Sequence, residues 1–266
     1  MKIPQGTLNQ LFQSLGEYNP VTNAAMEKIA VVLQPVAFVI LGILFLLEIT
    51  SHAKKFDTDQ GGLTTEVYLN LAMKYVIAYA FVMSSSLIVD AIVWIGIQVG
   101  QWINSVVEIT GIEDAIPALS KMKVWERVIT FIFRIFAYLA LILSGWVANI
   151  LIFLRGIELY IIKAVAPIVV VFFVHDELRS IAVGFLKYVM AVVLQGALLI
   201  LIMGLVPILT SNDYLSFSSM DGNLLENAGG AIKNIIIYVE LIVKYIVVIV
   251  LLIGSQRKAK QFMGAM

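Results

Sequence analysis

Long apolar runs separated by short polar segments dominate the chain. A helix of about 20 mostly apolar residues crosses the roughly 30 Å hydrocarbon layer of a bilayer. We predict six spans, at about residues 28–49, 66–90, 128–152, 156–174, 181–209 and 234–254. These runs lack the alternation of apolar and polar positions that membrane β-strands show. The pattern therefore predicts an all-α polytopic membrane helix bundle with five or six spans plus interfacial helices.

Two stretches leave the number of crossings open. The chain is apolar from Val128 to Val174, which is too long for one span, so we expect a division at Arg155 and Gly156. The segment after that division either crosses the membrane or dips in and returns. The sequence AIVWIGIQVGQWINSVVEI follows the second span without a turn signal, and it fits an interfacial helix or part of a hairpin. Its Gly96 and Gly100 form a GxxxG pattern, which we interpret as ordinary close packing.

Residues 1–27 form a polar leader with one amphipathic pattern. Apolar residues recur at the spacing of one helix face, at Leu8, Leu11, Phe12 and Leu15. We expect Gly16 and Pro20 to end this helix. It either lies on the membrane or a partner, or packs on the chain's own helices. The leader has no small-residue cleavage pattern, so we expect it to stay attached.

Composition agrees with a membrane protein and narrows the chemistry. The chain is 61% apolar and 14% charged, with a mean hydropathy of +0.95 and no net charge. It has no cysteine, which excludes disulfides and thiolate chemistry. It also lacks a Walker A loop, and the HDELR sequence at His175 does not match the HExxH zinc pattern. We therefore expect a protein that is not an enzyme and that needs no cofactor or metal.

Lysine and arginine placement predicts the orientation of the chain, because these residues concentrate on the cytoplasmic side. Six crossings with the N-terminus inside place nine basic residues in the cytoplasm and four outside. A re-entrant segment after Arg155 instead gives eight inside and six outside. Both arrangements place the basic tail, residues 257–266, in the cytoplasm after a membrane domain at 28–256.

Several charged residues lie inside the predicted spans. A charge at the bilayer centre costs about 2.5–3.5 kcal/mol on insertion scales, so each must be paired, reach the boundary or face water. Arg155 and Glu158 lie three residues apart on one helix and can neutralise each other. Lys163 lies on another side, close to the carbonyl that Pro167 leaves without a donor. This group fits either a bent helix against a wet or protein-lined surface, or a boundary pair with Lys163 extending to the interface.

Glu240 and Lys244 lie four residues apart in the last span, in the order that favours a helical ion pair. We expect that pair to be self-neutralised. Four other charged residues, Glu48, Lys74, Arg134 and Lys187, have no evident local partner. Together they indicate an interior with polar contacts or partial hydration. Lysines beside the carboxylates argue against a proton relay.

The segment from Trp146 to Gln195 resembles the central region of TrbL-like polytopic subunits of conjugative type IV secretion systems, which include the sixth VirB-class component. The residues that carry the resemblance are Arg155, Glu158, Leu159, Ala166, Pro167, Ile168, Arg179, Ser180, Phe185, Leu186, Lys187, Leu194, Gln195 and Gly196. The resemblance implies a cytoplasmic-membrane channel or scaffold subunit that assembles with itself, with other secretion subunits and with separate ATPases. It also implies transient contact with transferred DNA and a structural role for Arg155 and Pro167.

Two other functions fit the residues. One is a small-solute or ion transporter with its site near Arg155, Glu158 and Lys163. The other is a structural anchor that holds soluble partners at the membrane lipids. A transporter should move a solute when it is alone in liposomes, whereas a secretion subunit should be inert there.

Overall fold

The computed structural model describes residues 9–58, 65–107, 124–211 and 230–265. Residues 9–11 make one helical turn. The helices that follow are α1 (Leu15–Tyr18), α2 (Pro20–Thr58), α3 (Thr65–Met83), α4 (Ser85–Val107), α5 (Val124–Val170), a 3₁₀ turn (Val171–Phe173), α6 (Arg179–Ser211) and α7 (Gly230–Met263). No residue in the described ranges lies in a strand. Six of the described helices are long and apolar enough to cross a membrane, so the predicted all-α membrane fold is confirmed.

Helix α5 is continuous over 47 residues, and the expected division at Arg155 and Gly156 is wrong. An isolated glycine weakens a helix interior by only about 1 kcal/mol, which packing and polar contacts offset. Both residues are buried here. Segments 128–152 and 156–174 therefore belong largely to one helix, and the number of crossings that this helix makes stays a prediction.

The second predicted span, 66–90, divides near a run of serines. Helix α3 ends at Met83 and α4 begins at Ser85. Backbone hydrogen bonds from Ser84 N to Ala80 O and from Ile88 N to Ser84 O carry helical bonding across the break. The Ser85 hydroxyl donates to the Val82 carbonyl at 2.8 Å, a bond known to bend helices. Helix α4 is thus a long apolar helix that follows α3 without a loop.

The helix break expected at Gly16 is wrong, whereas α1 does end just before Pro20. Ser14 and Glu17 form a capping box that starts α1, with Gly16 inside the helix. Pro20 opens α2, where its fixed φ and missing N–H suit the first helical position. Leu11 and Leu15 are buried. Their burial favours the alternative in which this segment packs on the chain's own helices.

The chain forms two compact units. One contains the described parts of residues 1–12, 97–154 and 195–258. Its main cluster of buried apolar side chains is Leu11, Ala148, Ile152, Leu199, Ile200, Met203, Val248 and Leu252. The other contains the described parts of 13–96, 155–194 and 259–266. Its main cluster is Ala37, Leu41, Leu44, Leu71, Tyr75, Ala78, Val82, Val171 and Val174. The second unit, called the charge-bearing unit below, holds most of the predicted site residues.

The GxxxG glycines of α4 allow close approach to α6. Within the charge-bearing unit, a Cβ placed at Gly96 would collide with the Val193 side chain. Within the other unit, a Cβ at Gly100 would lie 2.7 Å from Ile200 Cδ1. A Cβ on either glycine would therefore force its neighbour to move, which agrees with the close packing that the pattern indicates.

Candidate functional site

Lys163 is the centre of a buried polar network in the charge-bearing unit. Its side chain is 1% exposed, and Nζ donates to Glu27 Oε1 at 2.8 Å, Asp90 Oδ2 at 2.8 Å and Asn23 Oδ1 at 2.9 Å. Asn23 Nδ2 also donates to Glu27 Oε1 at 2.9 Å. These four residues, here called the Lys163 network, come from α2, α4 and α5.

In this network the Lys163 ammonium has all of its N–H groups hydrogen-bonded, whereas the two carboxylates are partly exposed. An ammonium has three N–H donors, and the three acceptors of Lys163 use all of them. The Glu27 and Asp90 side chains are 49% and 39% exposed, so the carboxylates keep part of their solvation. Of the two expected environments, the protein-lined one is therefore present. The position of Lys163 relative to the membrane boundary stays a prediction.

Arg155 is buried in the same unit and bonds to backbone. Its Nε donates to the Val192 carbonyl at 3.0 Å, which joins α5 to α6. Glu158 lies three residues later on α5 and is half-buried. The pairing of Arg155 with Glu158 stays a prediction. The contact to Val192 adds a partner that sequence spacing could not indicate.

One stripe of α5 binds the start of the charge-bearing unit. Gly156, Tyr160 and Lys163 follow at intervals of four and three residues, which places them on one helix face. The Tyr160 hydroxyl donates to the Leu15 carbonyl at 2.6 Å. A Cβ at Gly156 would lie 3.1 Å from Tyr18 Cε1. This set, called the α5 stripe, holds residues 15–27 by three contacts: close packing at Gly156, the hydroxyl of Tyr160 and the ammonium of Lys163.

Pro167 lies one turn beyond Lys163 on the same helix. Its side chain is fully buried, and α5 continues past it only to Val170, where a 3₁₀ turn begins. Proline cannot donate to the carbonyl four residues earlier, that of Lys163. The polar network and the helix end are therefore adjacent along the chain.

Two further ion pairs neutralise charged residues, one pair between two helices and one within a helix. In the charge-bearing unit, Lys74 Nζ lies 2.7 Å from Glu48 Oε1, and the Tyr75 hydroxyl donates to Glu48 Oε2 at 2.8 Å. Glu48 and Lys74, for which the sequence showed no local partner, pair between α2 and α3, 26 residues apart in sequence. In the other unit, Lys244 Nζ lies 2.7 Å from Glu240 Oε1, so the expected helical pair is present.

Four residues with these contacts were not predicted as site residues from the sequence: Asn23, Glu27, Asp90 and Tyr160. Asn23 and Glu27 lay in the segment interpreted as a polar leader, although their spacing of four puts them on one helix face. Asp90 was placed at the end of a span. The sequence feature that could have identified the acidic residues as site residues is a carboxylate beside a long apolar helix, because intramembrane charges need partners.

Replacing Tyr160 with phenylalanine is expected to destabilise the protein by about 1 kcal/mol, since one buried hydrogen bond is lost. Residues 15–27 should become more accessible to protease. The measurement is thermal unfolding in detergent together with limited proteolysis.

Tyr79→Phe is the matched control, because the Tyr79 ring is exposed and stacks on Phe38 without a recorded hydroxyl bond among the described residues. Equal unfolding temperatures for the two variants would show that the Tyr160 hydroxyl does not hold this segment.

The arrangement neutralises charges by contacts within the protein. Within the described ranges, no group of three or more histidine, aspartate or glutamate side chains is placed to hold a metal ion. Lys163 has its donors occupied, and Arg155 is bound to a backbone carbonyl. The site joins helices through charged and polar contacts.

A family described as TrbL/VirB6 plasmid conjugal transfer protein matches residues 61–254, which is most of the chain. The chain belongs to this family. The TrbL/VirB6 match covers α3 to α6 and most of α7, and it confirms the resemblance seen from Trp146 to Gln195. No curated protein and no solved structure matches the chain significantly.

Membership of the TrbL/VirB6 family sets the function in outline. The protein is a multi-pass membrane component of conjugal transfer by type IV secretion. TrbL/VirB6 proteins are structural secretion subunits and not a known enzyme family. The Lys163 network joins Asp90 and Lys163, inside the matched region, to Asn23 and Glu27 outside it.

Proposed function

We propose that this protein is a cytoplasmic-membrane channel or scaffold subunit of a conjugative type IV secretion system, which helps DNA or protein substrate to cross the membrane. The family match over residues 61–254 is the observation that carries the proposal. The subunit assembles with copies of itself and with other secretion subunits, while separate ATPases supply the energy. Its basic tail faces the cytoplasm, and transferred DNA contacts it transiently.

The paired charges support a structural role over solute transport. Lys163 gives all three of its N–H groups to protein acceptors, so none remains for a solute. Glu48 with Lys74, and Glu240 with Lys244, are neutralised in the same way. Intramembrane charges that pair in this way are kept from contact with lipid, which is a structural role.

Deleting the gene in a donor cell is expected to abolish transfer of the mobile element, because a missing subunit leaves the secretion machine incomplete. Expression of the full chain in trans should restore transfer. The measurement is the frequency of recipients that acquire the element, with a stop-codon copy of the gene as the control.

Normal transfer without the gene would overturn the proposal. Purified protein in liposomes that moves a solute unaided would support the transporter with its site near Lys163. Photo-crosslinkers placed along α5 and α6 separate the two structural roles: a channel subunit crosslinks to DNA during transfer, and a scaffold subunit does not.

A further inference from the structure

An apolar cavity of about 350 Å³ lies within the charge-bearing unit. The start of α4 forms one wall, with Ile88 and Ile92. The 3₁₀ turn and the start of α6 form the other, with Phe173 and Phe185. This volume is near the lower end of the roughly 300–1,000 Å³ of ligand pockets. A hydrocarbon chain suits such a lining better than a polar solute does.

Among the described residues that line the cavity, Arg179 is the only charged one. It is exposed at the first position of α6, and its guanidinium makes no hydrogen bond or ion pair with another described residue. A guanidinium binds phosphate through parallel N–H bonds, which makes it a strong and geometrically selective partner for that group. The cavity thus combines one cationic end with apolar walls.

The polar link before α6 indicates the depth at which we expect Arg179 in the membrane. Residues 174–178 are irregular and include Asp176 and Glu177, both exposed. Irregular backbone with exposed charges does not lie in lipid-exposed hydrocarbon. This favours a position of Arg179 at the level of the lipid headgroups, with the apolar cavity walls towards the hydrocarbon.

From this geometry we propose that the cavity is a binding site for one anionic phospholipid. The phosphate binds the Arg179 guanidinium, and part of an acyl chain fills the space between Ile92, Phe173 and Phe185. Asp176 and Glu177 carry negative charge on the same link but do not line the cavity. This site is independent of the role proposed in secretion.

Native mass spectrometry of the full chain, released from detergent with equimolar phosphatidylglycerol and phosphatidylcholine, tests the site. The wild type should retain one phosphatidylglycerol with a preference of about fivefold or more. Arg179→Gln should remove the preference, and Arg179→Lys should keep part of it. Ile92→Phe should reduce retention of both lipids because the added ring fills the cavity.

The controls are Arg127→Gln, an exposed arginine on α5, and Val76→Phe on α3, since neither residue lines the cavity. Both should behave as the wild type does. A wild type without preference, or an Arg127→Gln variant that loses as much as Arg179→Gln, would overturn the proposal. If Arg179→Gln does not fold, the wild-type preference, Arg179→Lys and Ile92→Phe decide the question.

Discussion

Changing Glu27 to glutamine and Asp90 to asparagine together is expected to destabilise the protein by about 3 kcal/mol, the lower end of the cost of leaving a buried charge unpaired. Each single change should cost only about 1 kcal/mol or less, because the remaining carboxylate still neutralises Lys163. We expect the lower end of that range because the Glu27 and Asp90 side chains are only partly buried, so water reaches this part of the network. The effects are therefore non-additive, as expected for residues that share one partner.

A thermodynamic cycle in detergent measures this coupling through the free energies of unfolding of the two single variants and the double variant. Adding Lys163→Met to the double variant should recover stability, since it removes the buried charge. Glu66→Gln with Asp176→Asn is the matched control, because both carboxylates are exposed. Additive single effects, or no recovery with Lys163→Met, would show that Glu27 and Asp90 are not the neutralising partners of Lys163.

Replacing Gly96 with alanine is expected to destabilise the protein by about 1–3 kcal/mol, because the new methyl collides with Val193. Valine is stiff about χ1, so the side chain cannot move aside freely. The measurement is the unfolding temperature and the yield of monodisperse protein.

Gly42→Ala is the control, since a Cβ there meets nothing within 4 Å. That substitution should be neutral, or should stabilise α2 by up to about 1 kcal/mol through helix propensity. The Gly96→Ala/Val193→Ala double variant should recover part of the lost stability. If Gly96→Ala is as stable as Gly42→Ala, the close approach of α4 and α6 at this point is absent.

The Lys163 network and the Tyr160 contact connect residues 15–27 to α5. Residues 15–27 contribute a backbone carbonyl to Tyr160 and two polar side chains to Lys163. A change in this segment would therefore alter the neutralisation of a buried charge on α5. This dependence gives the leader a structural role within the bundle.

The pattern of residues along the chain predicted those features of the fold that involve only a single segment, such as one helix or an ion pair within it. Apolar runs required helices because backbone amides in lipid must be paired within the segment. The Glu240–Lys244 pair was predictable because both partners lie on one helix face. The expected helix ends at Gly16 and Gly156 were wrong because capping and packing outweighed weak local propensities.

The sequence by itself determined that this is a helical membrane protein with ionised groups that need partners, because hydrocarbon solvates neither backbone amides nor charges. Only the tertiary structure decided which partners they find. Lys163 meets Glu27 and Asp90, which lie 136 and 73 residues away in the chain, and Glu48 meets Lys74. Such contacts depend on how helices pack, and helical periodicity gives the face that a side chain occupies but not the helix that it meets.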